Sequence, residues 1–270
     1  MVELNTKYKI GKRRFGLVNW VGFISLYKKE TLRFLIVSGQ TILGPVLTGI
    51  LFLIVLSIAW GDERGEVLGL PFIEFLAPGL ISMQVIQQSF SHSSSSLLGG
   101  KMMGNIIDLI GSPLSAGEVT FAIILASVTR AFIISVTSIF CFNFFVEINI
   151  LNYYYFLVYL IFSSFLMGAL GFIAGIWADR YDNMATITNF IIIPLSFLSG
   201  TFYSIDRLPN ILKEMSFYNP FFHMIDGLRF SMIGISDGST IFGLIYLLSF
   251  NLVLCWFAYY LYKIGYKIKT

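Results

Sequence analysis

The sequence predicts an all-α integral membrane protein with six transmembrane helices, and three observations carry that prediction. Hydrophobic residues make up 56% of the chain and charged residues only 12%, against roughly 25% charged in soluble domains. Mean hydropathy is +0.79. Six apolar runs have about the length of roughly 20 residues that a helix needs to cross a bilayer.

Those runs are 34–59, 72–97, 119–146, 152–178, 184–203 and 239–262. Pro45 predicts a kink in the first. No stretch between runs is long and polar enough for a soluble domain, so residues 1–270 read as one transmembrane domain. The first 19 residues are polar and basic, so no cleavable signal peptide is expected there. Cys141 and Cys255 both fall in apolar runs and read as small buried hydrophobes. The net charge of +3 says little by itself; where the charges lie says more, and no nucleic-acid partner is expected.

The distribution of Lys and Arg orients the chain. With the N-terminus inside, the inner segments hold Lys7, Lys9, Lys12, Arg13, Arg14, Lys28, Lys29, Arg33, Lys101, Arg180, Lys263, Lys267 and Lys269. The outer segments hold only Arg64, Arg207, Lys213 and Arg229. Both termini are therefore expected in the cytoplasm. Within residues 1–33, polar or small residues recur at Asn19, Gly22, Ser25, Lys29 and Arg33. This predicts an interfacial amphipathic helix over 17–33 whose basic side meets anionic lipid headgroups.

Between the second and third runs lies GKMMGNIIDLIGSPLS, residues 100–115. Its apolar residues, from Met102 to Ile110, fall at helical spacing, with Lys101, Gly104, Asn105, Asp108 and Gly111 on the other side. Pro113 stops the helix. Ser115-x-x-Glu118 reads as a capping box that opens the third run. The pattern predicts a short two-faced helix across the cytoplasmic mouth.

Several candidate chemistries are weak. GGKMMG at 99–104 is no Walker A motif, because Met102 stands where Ser or Thr would bind magnesium. GISDG at 234–238 matches G-x-S-x-G without a strand-turn-helix context, and reads as a turn. His92 and His223 stand alone, without metal-ligand spacing. The serines around His92 (Ser89, Ser91 and 93–96) suit close helix packing. Tyr153, Tyr154 and Tyr155 suit an interfacial belt. Arg130 lies about 17 Å along its helix from Val119. An arginine within a span marks either a functional site facing the protein interior or a snorkelling side chain.

Two stretches resemble bacterial ABC-2 type transport permeases, in particular those for nodulation-factor export and the drug-type inner-membrane permeases. One is SSSSLLGGKMMGNIIDLIGSPLS. The other is PLSFLSGTFYSIDRLPNILKEMSFYNPFFHMIDGLR, with Pro194, Ser199 and Gly200, Leu208 and Pro209, then Asn219, Pro220, Asp226 and Arg229. The resemblance implies that Gly104–Leu114 is a coupling helix for a separate ABC ATPase. Lys101, Gly104, Asn105, Ile106, Asp108, Leu109, Pro113 and Leu114 would then be the coupling residues. It implies a re-entrant helical segment over 204–238, a second copy of the chain as partner, and a cargo such as a lipid-linked saccharide or hydrophobic drug-like molecule. This chain would bind no cofactor, with ATP and Mg on the partner subunit. Asp226 and Arg229, at i and i+3, are expected to pair structurally. Two other classes fit the composition: an ion-coupled secondary transporter and a non-transporting scaffold.

Overall fold

The computed structural model describes residues 18–64 and 66–268, without the side chains of 60–64. Lys7, Lys9, Lys12, Arg13, Arg14 and Lys269, used above for orientation, lie outside the described residues, as does the Arg64 side chain.

The chain is helical almost throughout. Helix α1 covers Trp20–Ile36 and a π-helical turn Gly39–Leu43 leads into α2, Gly44–Arg64. Then come α3, Phe72–Met102, the short α4, Ile106–Gly111, α5, Ala116–Phe142, and α6, Tyr153–Trp177. A broken helix follows: α7, Tyr181–Ile187, a π turn Thr188–Ile192, and α8, Ile193–Leu198. A 3-10 turn Ile205–Arg207, α9, Asn210–Phe217, α10, Pro220–Ile233, and α11, Thr240–Ile264, complete it. One small departure from the all-α expectation is a hairpin, Glu66–Val67 (β1) against Leu70–Pro71 (β2). Its two-residue turn has Leu68 and Gly69 at φ 55° and 77°, the geometry that a tight hairpin requires. Strands of two residues carry too little alternation to be read from sequence.

Among the described residues, four helices are long and apolar enough to cross a membrane: Gly39–Ala59, Ala116–Phe142, Tyr153–Trp177 and Thr240–Ile264. The other two runs are helical but different in kind. Helix α3 is 31 residues long and packs against α2, α5, α6 and α10, so Gln84 and most of its serines meet protein. The run 184–203 is the broken helix, whose helical part ends at Leu198. Boundaries move elsewhere too. Phe34 belongs to α1, and α3 runs on through Gly99, Gly100 and Lys101, where the sequence pattern predicts a loop or its edge.

Both π turns stand just ahead of a proline, Pro45 and Pro194. A proline cannot donate to the carbonyl four residues back and its ring crowds that turn. Locally the ladder shifts to i→i+5 spacing: Gly44 N–H reaches Gly39 O and Ile193 N–H reaches Thr188 O. The expected kink at Pro45 is thus a widened turn.

The core runs along the α3–α6 contact, where the glycines of α6 admit the backbone of α3. A Cβ on Gly171 would lie 2.3 Å from Phe90 O, and one on Gly175 2.9 Å from Ser94 O. Small residues four apart allow this approach. Gly171→Leu should therefore force α3 and α6 apart and lower the thermal midpoint, since overpacking costs about 1–3 kcal/mol or more. Gly111→Ala, with nothing within 4 Å, should leave the midpoint unchanged in the same fluorescence-detected melt.

Candidate functional site

The end of the bundle that carries residues 100–115 is built around a reversal of the chain. Helix α3 ends at Met102, and Gly104, at φ 75°, turns the backbone where a side chain would be strained. Helix α4 follows, only six residues long and shorter than the 104–114 expected. Ser112 and Pro113 lead out of it, and Ser115 caps α5.

The capping box expected from Ser115-x-x-Glu118 is present. Glu118 N–H donates to Ser115 Oγ at 3.3 Å, and Ser115 N–H donates to Glu118 Oε2 at 2.7 Å. The second carboxylate oxygen, Oε1, accepts from Asn19 N–H at 2.5 Å. Asn19 also donates from Nδ2 to Pro113 O at 3.0 Å and accepts Gly22 N–H on Oδ1 at 3.1 Å. One asparagine thus caps α1 and clasps the loop after α4. Gly22 makes the close approach feasible: a Cβ there would lie 2.7 Å from Leu114 Cδ2. Sequence patterns did not reveal this tie, because its partners are 94 and 99 residues apart.

Helix α4 has two faces. Ile106 is buried and Leu109 half-buried in a local core with Leu26, Leu97, Val119, Phe172 and Ala258. Ile107, Asp108 and Ile110 are exposed, continuous with exposed Met102, Met103, Gly104 and Asn105. Of the residues assigned to coupling, Asp108, Gly104, Asn105 and Pro113 are therefore on the surface, while Ile106, Leu109 and Leu114 seat the helix. Lys101 is a correction. Its Nζ turns into the bundle and donates to Ile176 O at 2.9 Å and Ala178 O at 2.6 Å, with Asp179 Oδ1 at 3.5 Å. It caps the C-terminus of α6, where unpaired carbonyls and the helix dipole favour a cation. Lys267 does the same from the C-terminal segment, reaching Trp177 O at 3.1 Å and Asp179 Oδ2 at 2.9 Å. The hydrogen bond and charge of Lys267 hold the Asp179 carboxyl below its ordinary range, assisted by Lys101. Its contribution is present above the ordinary carboxylate range and is lost as pH falls through the depressed folded value.

Deeper in the bundle lies a polar column. Glu30 of α1 is buried, pairs with Arg33 at 3.0 Å and accepts Ser96 Oγ–H at 2.8 Å. Arg33 also donates to His92 O at 3.1 Å. Arg130, 6% exposed, donates to Gln88 Oε1 and, at 3.3 Å, to Thr41 O. Thr41 O is the carbonyl that Pro45 cannot serve. Arg130 thus faces the protein interior, and Gln88 is a partner that local sequence did not name. Gln84 donates to Pro45 O at 3.2 Å and accepts from Ser138.

At the opposite end, the second quoted stretch closes into one staple. Asp226 does not pair with Arg229, as local spacing suggested. Its oxygens accept the backbone N–H groups of Asp237 at 2.7 Å and Gly238 at 3.1 Å. Arg229 pairs instead with Asp237 at 3.8 Å, both side chains 1% exposed. It also donates to Gly200 O at 2.5 Å and lies 3.9 Å above the Phe75 ring. Asp237 further accepts Ser204 Oγ–H at 2.5 Å. Gly200 takes a φ of 78°. Asn219 caps α10 and donates to Ser199 Oγ at 2.8 Å, with Pro220 in the first turn of α10 and Pro209 before α9. Residues 221–229 are all buried. The GISDG match is thus a structural turn that supplies Asp237. Among the described residues no His, Cys, Asp or Glu group is arranged to hold a metal.

The comparisons with known proteins agree with this architecture. The sequence profile described as ABC-2 type transporter matches residues 21–233. The chain belongs to the ABC-2 type transporter family. It is 30% identical over 241 residues to "Inner membrane transport permease YadH" of Escherichia coli (strain K12), covering 88% of this chain and 94% of that one. It is 24% identical over 226 residues to "Nodulation protein J" of Rhizobium leguminosarum bv. viciae, covering 81% and 84%. It is thus a multi-pass membrane permease of an ABC-2 type.

Two outcomes test this geometry. Glu118→Ala should speed hydrogen exchange at residues 19–24 and 112–119 while leaving 221–232 protected, since a lost cap costs about 1 kcal/mol locally. Asp237→Asn breaks a buried pair and should cost about 3–5 kcal/mol, read as proteolysis within 200–238 at a lower protease concentration.

Proposed function

We propose that this permease is the membrane-spanning subunit of an ATP-driven exporter in the bacterial inner membrane. Two copies form the path, two copies of a separate ABC ATPase dock at the 100–115 end, and an amphipathic cargo leaves toward the outside. ATP and Mg stay on the ATPase, and the chain performs no bond chemistry. In this reading both termini are cytoplasmic, all six helical runs cross the bilayer, and 204–238 is the re-entrant segment on the outer side. The name of one relative, an inner membrane transport permease, supports inner-membrane transport. Lipid-linked saccharides and hydrophobic drug-like molecules are the cargo classes.

The single observation that carries the reading is the form of α4. Ile106 and Leu109 lock one face into a core shared by α1, α3, α5, α6 and α11. The other face, Ile107, Asp108 and Ile110 with Met102 and Met103, is exposed. A short helix seated in several helices and bare on its outer side suits a part that receives force from a partner. The exposed methionines suit an adaptable contact.

Asp108 has no ion-pair partner among the described residues, so its replacement leaves the fold intact. Asp108→Lys should insert normally yet reduce co-purification with the ATPase about tenfold or more, and reduce ATP-driven export in proteoliposomes in step. Co-purification at the unchanged level overturns the coupling role. Export without ATP or ATPase would favour the ion-coupled alternative.

A further inference from the structure

The polar column opens on one side into a groove that the proposed function has not used. It holds about 240 Å³ between α2 and α3, near the middle of α3, with Thr48, Phe52, Gln84, Gln87 and Gln88 in its walls. Thr48 and Phe52 are exposed at its mouth. The glutamines sit at i, i+3 and i+4 and so share one helix face.

The amides in this groove are not equivalent. Gln84 is satisfied on both sides, by Pro45 O and Ser138. The Gln88 carbonyl is occupied by Arg130, which leaves its NH₂ as the group to be offered and polarises it as a donor. Gln87 lines the groove and makes no hydrogen bond among the described residues. Arg130 stands behind them at the middle of α5, 94% buried by its 6% exposure. It has no carboxylate partner among the described residues. Its Nε is buried and donates to nothing among the described residues. The nearby Arg33 adds like charge, and the one carboxylate of the column, Glu30, is taken by Arg33. A buried cation without a counterion is costly in a low-dielectric surround, and its field there is little screened.

We propose that this groove binds the anionic headgroup of an amphiphile, a phosphate or carboxylate on an apolar tail. The Gln87 and Gln88 amides donate to the anion, and the Arg130 guanidinium supplies the compensating charge through Gln88. The volume is below that of a site for a whole drug-sized ligand and suits a headgroup whose tail leaves past Phe52 into lipid or a neighbouring chain. The proposal rests on the export reading in taking this ligand as cargo, and it narrows the cargo to acidic amphiphiles.

The test uses the purified full-length chain in nanodiscs of zwitterionic lipid. Dodecyl phosphate is the probe, with dodecanol and inorganic phosphate as its two halves. Dodecyl phosphate should bind saturably. Arg130→Gln should weaken binding about tenfold or more, and Arg130→Lys, which keeps the charge, by no more than about threefold. Gln87→Leu should weaken it about threefold at an unchanged thermal midpoint, which keeps the test valid where Arg130→Gln fails to fold. Dodecanol should only partition, without saturation. Undiminished binding by a folded Arg130→Gln or by Gln87→Leu overturns the site. Equally tight binding of dodecanol overturns recognition of charge, and equally tight binding of inorganic phosphate overturns recognition of an amphiphile. The assay contains no ATP or ATPase, so its failure leaves the coupling reading standing, and failure of Asp108→Lys to uncouple leaves this result standing.

Discussion

The two oxygens of the Glu118 carboxylate each hold a backbone N–H, one from Ser115 and one from Asn19. The geometry at this end of the bundle depends on that shared acceptor. Oε2 closes the first turn of α5 and so sets where the loop after α4 must arrive. Oε1 holds the first turn of α1, and Asn19 passes the hold on to Pro113 O. An ionised acceptor strengthens both bonds, and each donor is one that a helix start leaves without an intrahelical partner. Three elements far apart in the chain therefore share one electrostatic joint. Helix α1 is fixed a second time near its other end, where Glu30 and Arg33 engage Ser96 and His92 O of α3. A displacement of α4 must then move α3, α5 and α1 together, and α1 runs through the π turn into α2.

The same need to satisfy backbone groups explains the polar residues at mid-bundle. Pro45 withdraws a donor from the Thr41 carbonyl, and in lipid such a group finds no water. Arg130 serves it from α5, and Gln84 serves the carbonyl of Pro45 itself. Among the described residues only two acceptors answer the guanidinium, both reached by Nη2. A purely structural role for a residue with five donors accounts for part of the side chain and leaves its charge uncompensated. That surplus separates Arg130 from Arg229, which has a carboxylate, a carbonyl and an aromatic face around it.

Much of this was legible where the signal is local. Runs of apolar residues located the helices, Ser115-x-x-Glu118 located a capping box, and Pro45 located a distorted turn. The two-faced character of 100–115 was legible as well, although the helix is shorter and α3 longer than the pattern suggested. Glycines at 99 and 100 look like a helix end, yet α3 continues through them because Lys101 is drawn onto the end of α6. Long-range pairings were not legible. Spacing of i, i+3 offered Asp226 to Arg229, but folding brings Asp237, eight positions on, and reserves Asp226 for two backbone N–H groups. Likewise Asn19 reads as a polar residue on an interfacial helix, and nothing local says that its backbone N–H meets Glu118. The polarity of α3 disguised its nature in another way. A helix surrounded by protein is free to carry glutamines and serines, so apolarity understates how central it is.

The two ends of the molecule are held by different means, and this bears on how force would travel in the proposed cycle. The 200–238 end is held by one buried charge pair, Arg229 with Asp237, and by buried bonds from Asp226 and Arg229 to backbone groups, in which removal of any one member strands another. Such a set has one arrangement of low energy and resists gradual deformation. The 100–115 end is joined by exposed or half-exposed bonds at Ser115, Glu118, Asp179 and Lys267, where water replaces a lost partner at small cost. Between them stand the two π turns, where the regular ladder is already broken and a change of one hydrogen-bond step is least opposed. Motion imposed at α4 would therefore be taken up at Gly39–Leu43 and Thr188–Ile192 before it reaches the staple. The first of these turns contains Thr41, whose carbonyl is held by Arg130, so flexure there alters the contacts of the same guanidinium that backs the Gln87 and Gln88 groove. Helix α4 and the groove are then joined by a path of named bonds: the loop after α4 to α1 through Asn19, α1 to the π turn along the chain, and the π turn to Arg130 through Thr41.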